Sequence, residues 1–189
     1  MSGDAGLALV VIDLQKSYFE LPGLAGKEEL LLPPTNELIA SARANGRPVI
    51  LVRTQHEPDK STWTLNMLED DQGFAFPGSE QAEFLDGLDT TDYVEIVKTR
   101  DNAFFGTNLK EQLDFLGIDR LLICGVSTHS CVAQTAIGAF AHNFRAYVAG
   151  DAIASDHRPL AEALLDFLRE EMRQPVLTQR ESLDLLAGS

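Results

Sequence analysis

Six consecutive apolar residues, Leu7-Ala8-Leu9-Val10-Val11-Ile12, end abruptly on Asp13. A run this short with no polar side to turn to water reads as a strand covered on both faces, and strands of that kind belong to parallel sheets sandwiched between helices. The rest of the chain is consistent with that architecture. Residues 35–45 carry a helical pattern through Leu38, Ile39 and Ala42 that stops at Gly46, and Pro48 opens a second apolar strand, Val49-Ile50-Leu51-Val52. Together these make one β-α-β unit.

From 54 to 91 the regular pattern lapses. Pro58, Gly73, Pro77, Gly78 and Gly87 punctuate the segment, and only 80–85 could form a weak helix. Irregular stretches of this length in compact proteins usually cover or build a binding site. Regularity returns with Tyr93-Val94-Glu95-Ile96-Val97-Lys98, a strand, and then a helix opened by Asn108 and Glu111 at capping-box spacing and closed by Gly117. Strand 121–126, a helix over 129–142, strand 146–149, a helix through Leu160, Leu164, Phe167 and Leu168, and a short strand 175–178 complete the chain. Strict alternation predicts an α/β fold: a three-layer, doubly wound, six-stranded parallel sheet in the order 3-2-1-4-5-6, formed by a single domain over 1–189.

The charge balance narrows the partners. Twenty-nine acidic against 15 basic side chains give a net charge of −14 at pH 7, and such a surface repels nucleic-acid phosphates and anionic lipid. A small-molecule substrate is the better expectation, with no nucleic acid and no membrane partner. No window approaches 18 consecutive apolar residues, and the opening residues resemble no export signal, so a cytoplasmic location is expected. In that reducing compartment Cys124 and Cys131 should be free thiols.

Three residues at the carboxyl ends of the strands carry chemistry, and that is where open parallel sheets bind ligands. Asp13 ends the first strand. As a turn residue it would be unremarked, but it is followed by Leu14 rather than by glycine or proline, and a carboxylate at the rim of a buried strand needs a partner. Lys98 ends the third strand on the same side as Val94 and Ile96, which argues for a buried ammonium rather than a solvated one. Cys124 sits within an apolar strand and reads as a small core hydrophobe. Cys131 follows Gly125-Val126-Ser127-Thr128-His129-Ser130 at a helix start, where unpaired N–H groups and a nearby lysine favour thiolate.

Three segments together are specific: Ile12-Asp13-Leu14-Gln15, Lys98-Thr99-Arg100-Asp101-Asn102-Ala103-Phe104-Phe105-Gly106-Thr107 and Gly125-Val126-Ser127-Thr128-His129-Ser130-Cys131-Val132. Their order and placement resemble the signature segments of the isochorismatase-like cysteine hydrolases, a superfamily that includes nicotinamidases, N-carbamoylsarcosine amidases and isochorismatases. The resemblance implies a catalytic triad of Asp13, Lys98 and Cys131. It also implies a cis peptide between Val126 and Ser127, with the N–H groups of Ser127 and Cys131 forming an oxyanion hole. The activity implied is cleavage of a small amide, carbamoyl or ureido bond by a homo-oligomer, dimer or tetramer.

Nicotinamidase relatives hold a metal through an Asp-x-His sequence and a further histidine after the second strand. Here the region reads Thr54-Gln55-His56-Glu57-Pro58-Asp59, so no metal and no other cofactor is expected. His56 is instead a candidate substrate contact, with a loop histidine bonded to a local carbonyl as the bland reading. Phe19, Trp63, Phe104, Thr128 and His129 are the other candidates for substrate binding, although aromatics are core residues by default and Thr128 could simply cap a helix. Three competing readings stand beside the amidohydrolase. A vinyl ether hydrolase of the isochorismatase type would use Asp13 without the cysteine, and a catalytically silent relative would use neither. A nucleotide-binding module is disfavoured because the turn after the first strand contains no glycine to cradle phosphate.

Overall fold

The structure, a computed structural model, describes residues 6–188. Residues 1–5 and Ser189, and with them the opening of the N-terminal segment and both ends of the 1–189 domain, lie outside the described residues.

Strands β1 (Gly6–Ile12), β2 (Val49–Thr54), β3 (Val94–Lys98), β4 (Ile118–Val126), β5 (Arg145–Ala154) and β6 (Val176–Leu177) form one sheet in the order β3-β2-β1-β4-β5-β6, and all five pairings are parallel. β1 lies in the middle and is buried from Leu7 to Ile12, as its uniform apolar run requires. β3 lies at the edge, where Glu95 and Val97 face out while Ile96 and Lys98 face in.

Helices α1 (Lys16–Phe19), α2 (Glu28–Ala44), α3 (Leu65–Asp70), α4 (Leu109–Phe115), α5 (Ala133–Ala141), α6 (Arg158–Glu170) and α7 (Gln179–Ala187) cover both faces. One apolar layer joins Leu109, Leu113, Ala136, Ala139 and Leu168 from α4, α5 and α6 to alternate residues of the strands. The opposite layer joins Leu31, Leu38, Ile39 and Ala42 of α2 and Leu186 of α7 to the other set.

Several boundaries differ from expectation: β4 starts at Ile118 rather than 121, β5 runs on to Ala154 rather than 149, and α1, α3 and α7 were not expected. α2 begins at Glu28 rather than at 35, running through Pro33 and Pro34, whose missing N–H groups ordinarily mark a boundary. The helix expected from 129 is in fact a π-helical turn, Thr128–Val132, that leads into α5. Such wide turns recur at functional sites. Within 54–91 only α3 and a 3₁₀ turn, Glu80–Ala82, are regular.

Gly125 sets how closely the strand ends can approach. Its φ is 112°, and a Cβ placed there would stand 2.0 Å from the carbonyl oxygen of Ile12. Only glycine permits that geometry, so the end of β4 closes directly on the residue before Asp13.

Candidate active site

Asp13 leaves β1 with a φ of 52°, in the left-handed region that aspartate tolerates better than most side chains, and its N–H donates to Val52 (2.9 Å). Lys98 arrives from β3 in register with Thr54 of β2. Cys131 arrives from the π-helical turn after β4. The three side chains are all but sealed from solvent, at 0%, 1% and 1% exposure for Asp13, Lys98 and Cys131.

The Lys98 ammonium bridges the other two. Its Nζ lies 2.8 Å from Asp13 Oδ2 and donates to the Cys131 sulfur at 3.3 Å and to Thr54 Oγ1 at 2.7 Å. The Thr54 hydroxyl donates in turn to Asp13 Oδ1 (3.0 Å) and accepts from the Tyr18 phenol (2.9 Å). Apart from the ion pair, Asp13 Oδ2 has no hydrogen-bond partner, which leaves one lone-pair face of the carboxylate free to take a proton.

Burial alone would lower the proton affinity of Lys98, but the charges and hydrogen bonds of Asp13 and Cys131 more than offset it, so the ammonium titrates above an ordinary lysine. Burial pushes the Cys131 thiol upward, the carboxylate of Asp13 adds to the rise, and Lys98 opposes it. Expectation from the helix start favoured thiolate; in this desolvated site the resting sulfur keeps its proton until a base removes it. Tyr18 is held well above the usual phenol range by burial and by Asp13, so it is a neutral donor.

A cleft of about 120 Å³ abuts the triad, lined by Tyr18, Thr54, His56, Thr64, Met67, Phe74, Thr99, Arg100 and Asp101. Four of these, His56, Thr64, Met67 and Phe74, come from the irregular segment after β2, which therefore roofs this cleft. Asp101 Oδ1 lies 3.8 Å from the Cys131 sulfur, and its Oδ2 accepts from Gln134 (2.7 Å).

Of the residues expected to meet substrate, the structure brings His56 to the cleft. Its Nδ1 lies 3.1 Å from the Thr62 carbonyl, and burial, with the cations Arg100 and Lys98, lowers it below the ordinary imidazole value. Phe19 packs into the core beneath α2, and Phe104 packs with Phe144 and His142 on the opposite side of the sheet. Trp63 stacks on Phe76 and donates to the Glu57 carbonyl, serving as the roof's own core. Thr128 is buried in the π-helical turn, and His129 turns to Ser155 (2.7 Å). The structure does not bring these five to the cleft.

The Val126–Ser127 peptide is cis, and the Ser127 carbonyl accepts from the N–H groups of Ser130 and Val132. Tyr18, Thr54, Arg100 and Asp101 were not singled out from sequence. Arg100 and Asp101 lie inside the motif that begins at Lys98, and that proximity was the available signal.

Among the described residues no three His, Cys, Asp or Glu side chains are grouped to hold a metal ion. His56 is bonded at Nδ1 to the Thr62 carbonyl and feels the cations Arg100 and Lys98 as well as the carboxylate of Asp13, so this single histidine does not fit the metal of the nicotinamidases. No helix among the described residues is long and apolar enough to cross a membrane.

Comparison with known proteins gives concordant matches. A family model for the isochorismatase domain matches residues 7–181. A protein of Arabidopsis thaliana described as a probable inactive nicotinamidase is 34% identical over 147 residues, 72% of this chain and 74% of its own. An isochorismatase family protein from Desulfovibrio vulgaris superposes with a TM-score of 0.83 at 30% identity, covering 97% of this chain and all of that one. N-carbamoylsarcosine amidase from Thermoplasma acidophilum does so with a TM-score of 0.75 at 27% identity, over 92% and 95% of the two chains.

Proposed function

The chain belongs to the isochorismatase family of hydrolases, and on that premise we propose that it cleaves a small amide, carbamoyl or ureido C–N bond through a thioester on Cys131. One observation carries this reading: a buried ammonium that touches both a carboxylate, at 2.8 Å, and a cysteine sulfur, at 3.3 Å. A nucleophile, a base and a fixed positive charge thus share one desolvated pocket.

The steps follow from the charges. Asp13 takes the proton of the Cys131 thiol, and Lys98 holds the resulting sulfur anion close to the now neutral acid. The sulfur attacks the carbonyl carbon, and the N–H groups of Ser127 and Cys131 receive the charge that develops on oxygen. Asp13 returns its proton to the departing nitrogen, which leaves as ammonia or an amine. Water then attacks the thioester, giving one proton to Asp13. Collapse of the second tetrahedral intermediate releases the acid, and Asp13 reprotonates the sulfur. His56, neutral at physiological pH, contacts the bound molecule. No metal enters these steps.

The whole chain acting as one domain, with residues 54–91 as its roof, belongs to the same proposal, as do a cytoplasmic location and a homo-oligomer. Two free cysteines support the first setting. Exposed Leu65, Leu68, Phe105 and Phe115 support association of copies.

The test is a screen of small amides and ureides with a mass readout for an acyl adduct on Cys131, followed by Cys131→Ala and Asp13→Asn on any substrate found. Each variant should abolish turnover, and the double variant should be about as inactive as either one, because members of one catalytic unit do not add. Amidase activity retained in Cys131→Ala would overturn the mechanism, whereas cleavage of a vinyl ether that survives Cys131→Ala and is lost in Asp13→Asn would favour chemistry driven by Asp13 alone.

A further inference from the structure

Of the residues that line the cleft, Asp101 is the one within hydrogen-bond reach of the Cys131 sulfur, its Oδ1 standing 3.8 Å away. Asp13, Lys98 and Cys131 themselves are buried behind that wall. Asp101 is only partly buried, and Gln134 fixes its plane by donating from Nε2 to Oδ2 at 2.7 Å. A second carboxylate is thus aimed at the nucleophile from the cleft. The steps that form the thioester use Asp13 and Lys98 and leave Asp101 without a part.

The situation changes once the nitrogen has left. In the resting protein the thiol is a weak donor to Oδ1, and formation of the thioester removes that hydrogen. At the same stage Asp13 has given its proton away, and its Oδ2 has no hydrogen-bond partner beyond the ion pair with Lys98. Each carboxylate then has one oxygen able to accept, and a water has two hydrogens to give. With one hydrogen on each, the water turns a lone pair toward the carbonyl carbon. A water attacks from about 3–3.5 Å, and Oδ1 lies 3.8 Å from the sulfur to which that carbon is bonded, so one water can meet both. It arrives through the cleft whose wall Asp101 forms.

We propose that Asp101 positions the water that hydrolyses the thioester, an assignment that rests on the thioester reading above. The water oxygen bonds to the carbonyl carbon, the electron pair of the C=O bond moves onto oxygen, and the hydrogen held by Asp13 passes to Asp13 as a proton. The hydrogen held by Asp101 stays on the attacking oxygen and leaves in the hydroxyl of the product acid. Collapse breaks the C–S bond, and the sulfur anion, held by Lys98, takes its proton back from Asp13. Asp101 accepts a hydrogen bond throughout and never the proton itself.

The test needs no natural substrate. p-Nitrophenyl acetate acetylates a reactive thiol with release of nitrophenolate, and intact mass follows the gain and loss of the acetyl group on Cys131, with Cys131→Ala as the blank. Asp101→Ala should lose the acetyl group at least about tenfold more slowly than the wild type, the scale on which a misplaced reactant is felt. Its acetylation should be as fast or faster, because a carboxylate beside the sulfur disfavours thiolate. Asp101→Asn, which keeps an accepting oxygen, should fall between the two. Gln134 is exposed, so its amide returns to water in these variants and the fold is kept. Added formate should restore part of the deacetylation in Asp101→Ala and change nothing in the wild type. Unchanged deacetylation in Asp101→Ala overturns the proposal, even if acetylation speeds up, since Asp101 would then only restrain the thiol. A slower deacetylation that formate does not restore marks a structural role and overturns it as well. A wild type that gains no acetyl group on Cys131 refutes the thioester reading itself, and the role of Asp101 falls with it.

Discussion

Replacing Lys98 with methionine tests the electrostatic core of the site without needing a substrate. The side chain volumes are similar, so the main change is the loss of a cation 2.8 Å from a carboxylate that has 0% exposure. After the change Asp13 keeps one donor, the Thr54 hydroxyl on Oδ1, and Oδ2 has none. Breaking a buried pair on one side costs about 3–5 kcal/mol. For a chain of this length each kcal/mol moves Tm by about 2–4 °C, so a fall of roughly 6–20 °C is expected. Asp13→Asn should also destabilise, by stranding the ammonium. The double variant, with neither charge buried, should be more stable than the sum of the two losses by at least about 2 kcal/mol. Because Lys98 titrates above an ordinary lysine, its contribution is fully present below pH 10.5 and is lost only as pH rises through the folded value. The gap between wild type and Lys98→Met should therefore stay constant from pH 6 to 9. Urea unfolding with a shared m-value measures all four proteins. A single loss below about 1 kcal/mol, or strict additivity in the cycle, would refute a buried, mutually dependent pair.

Iodoacetamide at neutral pH should modify Cys131, which has a base beside it and a cleft in front, at least tenfold faster than Cys124; peptide mass mapping over time decides, and equal rates would remove the nucleophile assignment. Thr54→Val leaves Asp13, Lys98 and Tyr18 each short of one buried partner. It should cost about 1–3 kcal/mol of stability and lower kcat more than it raises KM, whereas unchanged kinetics would show that the hydroxyl only fills space. Burial pushes the Cys124 thiol up to about 12 from 9.0, so its contribution to stability is present below pH 9 and is lost as pH rises toward 12, at up to about 1.4 kcal/mol per pH unit. Cys124→Ala should therefore show a shallower loss of urea midpoint between pH 9 and 10.5, and identical slopes would rule this out.

The sheet order could be read from sequence because the strand centres are uniformly apolar or, in β3, alternate at the edge; the polar ends of β4 and β5, Asp119-Arg120 and Gly150-Asp151, hid how far those strands run. The helices were read less well. α7 buries only Ser182 and Leu186, α3 only Met67, and two prolines inside α2 hide its first turns. At the site, Asp13, Lys98 and Cys131 stand out as charged or nucleophilic residues at strand ends. Thr54 and Tyr18 do not, because a hydroxyl acquires its role only when segments some 36 to 44 residues apart meet. The substitution of Tyr18 for Phe19 at the cleft is a matter of rotation. α1 turns successive side chains by about 100°, so one aromatic enters the core and its neighbour faces the site.

Gln15 fastens both ends of the roof to the exit of β1, donating to the carbonyls of Thr54 (2.9 Å) and Ala82 (3.0 Å) and accepting from the Thr54 N–H (2.7 Å). Between those anchors much of the bonding is internal: Trp63 on Phe76 and on the Glu57 carbonyl, the Thr62 hydroxyl on the Glu57 N–H, Lys60 with Asp71. In evolutionary and engineering terms the segment 57–79 is thus a cassette. Its sequence can drift, or be exchanged for a relative's, to reshape the pocket while the strands and the reacting groups beneath keep their register.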